Sequence, residues 1–184
     1  MYLTRTKLVK GFGAGNYTEV NRTVEELFGS RAEKDPLTQE EINALDLSTK
    51  GLPEAANQLK ECIAVRGQYS YWYSIFEDVG YWRKVNHVHS WFVDNVQDGV
   101  DECQLTIVPK EKLEELLRIC KELDESKNSA KADELMPTRS GFFFGSTEYD
   151  EWYWQGIEET INILEKVLAE TDFEQQVIFY QSSW

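Results

Sequence analysis

Three long segments of the chain carry apolar residues at the three-to-four-residue spacing of an amphipathic α-helix. The first runs from Asp78 to Gln97, the second begins at Pro109, and the third follows Ser146 and Thr147 and ends near Glu170. In the second segment the apolar stripe consists of Leu113, Leu116, Leu117, Cys120 and Leu123. In the third it consists of Trp154, Ile157, Ile161, Leu164, Val167 and Leu168. We predict that these helices form most of the core.

The first segment, placed on a helical wheel, separates into two faces. The apolar face holds Tyr81, Trp82, Val85, Val88, His89, Phe92, Val93 and Val96. The opposite face holds Arg83, His87, Ser90 and Asp94. This division predicts that His89 is a hydrogen-bonded core histidine and that His87 lies on the polar side.

Shorter patterns predict the remaining elements. Alternation over residues 2–9, aromatic residues over 68–76 and the run QQVIFYQSSW at 175–184 predict strands. Residues 22–29 predict a short helix that ends at Gly29. Thr38 to Glu41 form a capping-box pattern. Pro53 is expected to begin a further helix over 53–65. The glycine-rich run GFGAGN at 11–16 lacks the spacing of a phosphate loop, and no clear helix follows it, so a plain loop is predicted.

These elements predict an α+β fold: a single compact domain with three long amphipathic helices and a small sheet. We expect residues 1–50 to form an N-terminal segment or small subdomain and residues 51–184 to form the main domain. The polar run DESKNSAKADE at 124–134 predicts a mobile linker. Phe142 to Phe144, between two glycines, predict a small buried strand or hydrophobic plug.

Composition and charge narrow the class of protein to which this chain could belong. The 184 residues are 41% hydrophobic and carry a formal net charge of −14, which suits a globular protein but disfavours wrapping nucleic acid. Three widely spaced cysteines form no C-x-x-C pair, and no apolar run reaches the length of a membrane span. We therefore expect a reduced, cytoplasmic protein. The basic N-terminal residues Arg5, Lys7, Lys10 and Arg22 are the part of the chain best suited to touch nucleic acid.

No recognisable catalytic constellation or cofactor motif is present, so we predict a protein that is not an enzyme. Histidines two residues apart on a helix point in different directions, so His87 and His89 do not share a metal. The acidic run DNVQDGVDE, with Asp94, Asp98, Asp101 and Glu102, departs from the EF-hand spacing and favours a solvated turn over a metal site. An alternative small-molecule pocket would use Arg83, His87 and Asp94.

The start of the third helix concentrates acidic and aromatic side chains. Glu148, Asp150 and Glu151 favour a helix N-terminus through the helix dipole. Together with Trp152, Glu158 and Glu159 they also form a candidate partner-binding surface. A row of carboxylates with aromatic neighbours suits a groove of Lys and Arg that otherwise holds nucleic acid. A plain solvated helix face is the alternative.

Two segments resemble a known group of proteins. YWRKVNHVHSWFVDNVQDG at 81–99 and LMPTRSGFFFGSTEYDEWYW at 135–154 resemble motifs of a family of small proteins encoded by phages and prophages of Firmicutes and gut bacteria. FYQSSW at 179–184 is similar to the family's ending, and the resemblance covers about residues 77–184. It implies a viral origin and a link to anti-CRISPR proteins that block type II RNA-guided nucleases. It implies no catalytic residue.

The leading hypothesis is therefore a phage-encoded inhibitor that binds a basic groove of a host defence nuclease and blocks DNA binding or cleavage. A nucleotide- or small-signal-binding module and a structural accessory of the phage are the alternatives.

Overall fold

The protein has an α+β fold, as predicted. A computed structural model describes residues 1–29, 37–66, 72–141 and 145–183. The helices are α1 (Ala14–Phe28), α2 (Gln39–Ala44), α3 (Asn86–Val96), α4 (Lys110–Ser126), α5 (Ser129–Leu135) and α6 (Glu151–Glu170). Two 3₁₀ segments span Leu47–Lys50 and Glu54–Cys62. The strands are β1 (Tyr2–Lys7), β2 (Ala64–Arg66), β3 (Trp72–Ser74), β4 (Glu77–Tyr81), β5 (Thr106–Val108) and β6 (Gln176–Gln181).

The strands form two sheets. The larger sheet has four strands in the order β4-β1-β6-β5, and β5 pairs antiparallel with β6 so that Ile107 lies opposite Phe179. The smaller sheet is the antiparallel pair β2-β3, in which Arg66 lies opposite Trp72. The predicted first and last strands, β1 and β6, are confirmed.

The chain divides into two compact units. The first unit comprises Met1–Leu3, Asp78–Phe173 and Ile178–Trp184, and the second comprises Thr4–Glu77 and Glu174–Val177. We predicted a segment boundary near residue 50, but the residues on both sides of that point belong to the second unit. Asn57 ties them together: it accepts a hydrogen bond from the Leu47 amide at 2.8 Å and donates one to Asp46 at 2.9 Å.

Helices α4 and α6 pack along each other and contribute nine buried residues to the core of the first unit, which is completed by residues of α3, β5, β6 and the chain segments beside them. The predicted apolar stripe of α4 is confirmed, with Leu113, Leu116, Cys120 and Leu123 fully buried. The Cys120 sulfur lies 3.8 Å from the sulfur of Met136, which is also buried. Burial raises the pKa of the Cys120 thiol to about 12, so this thiol stays protonated at neutral pH.

In the second unit, α1 packs against β3. The ring of Phe28 meets that of Tyr73 edge-on, with 5.5 Å between ring centroids. Asn21, on α1, accepts hydrogen bonds from the Ser74 hydroxyl at 2.8 Å and from the Ile75 amide at 3.0 Å. A single amide side chain thereby satisfies polar groups at the end of β3 and joins the strand to the helix.

The helix predicted over residues 78–97 begins later than expected. Residues 77–81 form β4, and α3 starts only at Asn86. The predicted polar face is also wrong, because His87 and Ser90 are buried together with every residue from Asn86 to Val93. A helix that is covered on all sides needs no amphipathic division, so the wheel assigned these two residues to the wrong environment.

The N-terminal part contains more helix than predicted. α1 opens at Ala14 directly on the glycine-rich run, where the Asn16 side chain accepts a hydrogen bond from the Gly13 amide at 3.0 Å. The prediction that no helix follows this run is therefore wrong, whereas Gly29 does end the helix. The capping box of Thr38 and Glu41 is confirmed. The segment after Pro53 is a 3₁₀ helix followed by β2 rather than one α-helix.

The segment 124–134 is structured, contrary to its prediction as a linker. α4 extends through Ser126, and α5 begins after Asn128, whose side chain accepts hydrogen bonds from the amides of Ala130 and Lys131. Ala132 is fully buried. The predicted plug at Phe142 to Phe144 lies outside the described residues.

Candidate functional site

The outward-facing side of α6, with Glu148 just before it, contains most of the predicted partner-binding residues. Asp150 is the N-cap of α6, and its carboxylate accepts hydrogen bonds from the amides of Trp152 at 3.0 Å and Tyr153 at 3.2 Å. These bonds satisfy amides that have no partner inside the helix. Asp150 is therefore a structural residue, and α6 begins at Glu151, later than the start that we expected directly after Ser146 and Thr147.

The remaining predicted residues are exposed. Trp152 is 75% exposed, and Glu148, Glu151, Glu158 and Glu159 are exposed as well. In the part of the chain that the structure describes, none of these four glutamates forms an ion pair. We call Glu148, Glu151, Trp152, Glu158 and Glu159 the acidic face. It combines an exposed indole with negative charge that no described cation neutralises.

A shallow groove runs beside this face. Its volume is about 580 Å³, and it is lined by Val79, Gln155, Glu158, Glu159, Asn162, Ile163 and Lys166. Gly80 of β4 lies close to α6, since a Cβ atom added to it would come within 2.6 Å of Ile163. The groove is therefore lined by two carboxylates that form no ion pair with a described residue, by the Lys166 ammonium group and by the apolar side chain of Val79.

The charge density of α6 is far below that of nucleic acid. The helix has 20 residues and five glutamates, so it is about 30 Å long and carries one carboxylate per roughly 6 Å of its axis. Duplex DNA carries one phosphate charge per roughly 1.7 Å. Glu165 is also paired with Lys121 at 2.6 Å. The acidic face thus has the sign of charge of a phosphate backbone but a much lower charge density. Binding to a partner would therefore depend more on contact through Trp152.

The alternative pocket residues lie in different environments. His87 is 3% exposed and packs on the ring of Tyr153, with 4.0 Å between ring centroids. Burial lowers the pKa of His87 to about 3, so the ring is neutral at pH 7. Arg83 and Asp94 are exposed, and the Asp94 carboxylate lies 3.9 Å from Arg139. His87 is therefore a core residue and not the acid or base of an open pocket.

His89 is a hydrogen-bonded core histidine, as predicted. It is fully buried, and its Nδ1 lies 2.7 Å from the Tyr180 hydroxyl while its Nε2 lies 3.0 Å from the Asp101 carboxylate. Tyr180 is itself buried and stacks on Phe92. Although aspartate, histidine and a hydroxyl follow one another here, the hydroxyl is closed off from substrate. The network joins α3 to β6 and to the loop after α3.

The acidic run 94–102 contains the predicted turn, but Asp101 is mostly buried instead of solvated. Asp101 bonds His89, and Asp98 and Gly99 both have positive φ angles at the end of α3. Among the described residues, no cluster of histidine, cysteine, aspartate and glutamate has the arrangement of a metal site.

Within the same described ranges, every helix is either too short or too polar to cross a bilayer.

One residue that supports α6 was not found from the sequence. The Asn86 side chain donates a hydrogen bond to the Ser146 carbonyl at 2.7 Å and accepts one from the Arg139 amide at 3.0 Å. It therefore holds both ends of the chain segment that leads into α6. An asparagine within an apolar helical run was the only available signal, and it did not indicate partners 53 and 60 residues away.

No protein-family model, curated protein or solved structure matches this chain.

Proposed function

We propose that this chain is an inhibitory binding protein whose acidic face occupies a basic groove on a nucleic-acid-binding partner. The observation that carries the proposal is the combination of a 75% exposed Trp152 with four exposed, unpaired glutamates on the acidic face. Tryptophan is enriched among the residues that dominate binding energy, and unpaired surface charge accelerates association with a partner of opposite sign.

The partner that we propose is a host defence nuclease of the type II RNA-guided class, in the cytoplasm of a bacterial cell. The sequence resemblance to phage-encoded proteins supports this choice. Such nucleases hold nucleic acid in positively charged channels, which are complementary to an acidic surface. The free state of Cys62, Cys103 and Cys120 is compatible with a reducing compartment.

The low charge density of α6 favours a specific mode of action. Because the helix presents too few charges to replace a duplex along its length, we propose that Trp152 enters a local pocket at the edge of the groove. The glutamates then pair with surrounding Lys and Arg side chains. Rim charges of this kind act mainly on the association rate and make it sensitive to salt.

The test is an in vitro cleavage assay with a purified type II nuclease, its guide RNA and a target duplex. The test variant combines E151K, E158K and E159K. The control variant combines E111K, E125K and E134K, which changes the net charge equally at exposed acids that are not part of the acidic face. We expect the wild type and the control to inhibit cleavage and the test variant to lose inhibition by at least tenfold. Equal inhibition by both variants would disprove the role of the acidic face.

A single substitution, W152A, distinguishes the contribution of the Trp152 contact to inhibition from the contribution of the glutamate charges. We expect it to weaken inhibition at both low and high salt, because it removes a contact without changing charge. The triple glutamate variant should differ most from wild type at low salt. If wild-type protein inhibits no type II nuclease but is captured on an immobilised basic protein through the same face, the binding surface stands and the nuclease assignment fails.

A further inference from the structure

The second unit contains a cavity whose charge is unlike that of the rest of the molecule. The chain carries a net charge of −14, yet this cavity is lined by three cationic side chains, Arg5, Lys7 and Arg66. Two carboxylates, Glu61 and Glu77, also line it. Its volume of about 430 Å³ is within the range of small-molecule sites.

Both carboxylates are already engaged by two of the cations. Arg5 donates from Nε at 3.1 Å and from Nη2 at 2.9 Å to one oxygen of Glu77, and its side chain is only 11% exposed. Lys7 is paired with Glu61. These pairs offset the charges of Arg5 and Lys7, and they leave the third cation as the surplus charge of the cavity.

Arg66 is that third cation. It lies on β2, and its Nε donates a hydrogen bond to the Phe76 carbonyl at 2.8 Å, which orients the guanidinium. A guanidinium has five N–H donors. Within the described ranges, its remaining N–H groups have no protein partner. An arginine held by one bond, with a free two-pronged edge, suits bidentate recognition of a carboxylate or phosphate.

The floor of the cavity contains a buried hydrogen bond. Thr6 is buried and its hydroxyl donates to the Ile75 carbonyl at 2.6 Å, and Ile75 itself is 1% exposed. The side chains above this floor are therefore held on ordered backbone, which lowers the entropic cost of binding.

We propose that this cavity binds a small ligand that carries a carboxylate or phosphate group, with Arg66 as the principal anion contact. A cationic ligand is disfavoured because Glu61 and Glu77 are both paired. This site is separate from the acidic face and does not depend on the proposed inhibitory function.

The chain contains its own reporter for the test. Cys62 lines the cavity and is partly exposed. Cys103 is also partly exposed but lies outside the cavity. Alkylation of each thiol by iodoacetamide, followed by mass spectrometry, gives two rates from one sample. The probes are inorganic phosphate and citrate, each compared with sodium chloride at equal ionic strength.

We expect millimolar phosphate, citrate or both to slow alkylation of Cys62 by at least threefold and to leave the Cys103 rate unchanged. Protection by only one probe identifies the anion class.

R66Q should abolish the protection, while R22Q, which removes an exposed arginine outside the cavity, should retain it. E61Q should increase the protection, because it removes a competing carboxylate. R66K keeps the charge but not the two-pronged edge and should reduce the protection. Equal slowing of both thiols, or full protection in both Arg66 variants, would overturn the proposal.

Discussion

The two sides of α6 show how one helix serves stability and contact with different residues. The inward side holds Tyr153, Gly156, Ile157 and Thr160, all of which are buried. There, Gly156 is required by close packing, since a Cβ atom would come within 2.8 Å of Val85 and 3.1 Å of the His87 ring. The acidic face on the outward side has no described ion pair and no comparable packing.

This difference separates substitutions into two classes. Changes on the inward side should act on stability and reach function only through unfolding. Changes on the acidic face should act on binding and leave the unfolding free energy nearly constant. A change at Asp150 should affect both stability and binding, because its carboxylate accepts hydrogen bonds from helix amides and also carries a negative charge. The four predictions below test this separation in order of decreasing effect on stability.

The largest effect should appear on acidification and should depend on His87. Its pKa is depressed to about 3 in the folded protein, against 6.5 in the unfolded chain. The unfolded chain therefore binds a proton that the folded protein does not, so this contribution to stability is complete above pH 6.5 and decreases as pH falls toward 3. At pH 4 the loss should be about 3 kcal/mol.

The variant H87F keeps a planar ring against Tyr153 but does not titrate in this range. Urea unfolding of wild type and H87F at pH 7, 5 and 4 gives the difference in stability at each pH. We expect this difference to shift in favour of H87F as pH falls. Two parallel pH curves would show that His87 protonation does not oppose folding.

G156A should have the next largest effect. Overpacking of a core costs typically about 1 to 3 kcal/mol, and the better helix propensity of alanine offsets about 1 kcal/mol of this. We expect a net loss of up to about 2 kcal/mol by chemical denaturation. G15A in α1 is the matched control, because a Cβ atom there would meet nothing within 4 Å. An increase in stability for both variants would contradict the close approach of α3 to α6.

D150A should cost about 1 kcal/mol, because it removes the side-chain acceptor for two helix amides. D150N retains an acceptor oxygen and should recover most of that loss while removing the charge. Thermal unfolding of the three proteins distinguishes the two roles of this residue. If D150N loses as much stability as D150A, the negative charge matters more than the cap.

The double variant E158Q/E159Q should have the smallest effect on stability, within about 0.5 kcal/mol of wild type, because both side chains are exposed and unpaired. Its association rate with the partner should nevertheless fall, and the fall should be largest at low salt. Stopped-flow or surface-based kinetics at two salt concentrations measures this. A large loss of stability would mean that these glutamates belong to the folded core.

The accuracy of the sequence-based predictions depended on how each helix is covered. α4 was predicted well because solvent covers one side of it, so Leu113, Leu116 and Leu123 repeat at the helical period. α3 was predicted poorly because it is buried on all sides from Asn86 to Val93, and periodicity then carries no information about His87. The strand β4 was missed because the acidic residues of EDVGY are unusual in strands and Tyr81 continued the apparent helical stripe.

The site was only partly predictable for a second reason. The exposure of Trp152, Glu158 and Glu159 on α6 follows from local helical spacing. The roles of Asn86 and His89 depend on partners far along the chain: Ser146 lies 60 residues from Asn86, and Tyr180 lies 91 residues from His89. Pairings of that separation leave no periodic signal in the sequence. The cavity around Arg66 likewise combines residues of β1, β2 and the start of β6, so no single segment reveals it.

The burial of Cys120 between α4 and its neighbours has a kinetic consequence. Since the thiol is covered and its pKa is about 12, a thiol reagent reaches it in reactive form only when the helices move apart. Under conditions where labelling is faster than reclosing, the modification rate equals the opening rate of this unit. The modification rate of Cys120, measured by mass spectrometry, thus reports how often the helices that pack against α6 separate. No additional cysteine has to be introduced for this measurement.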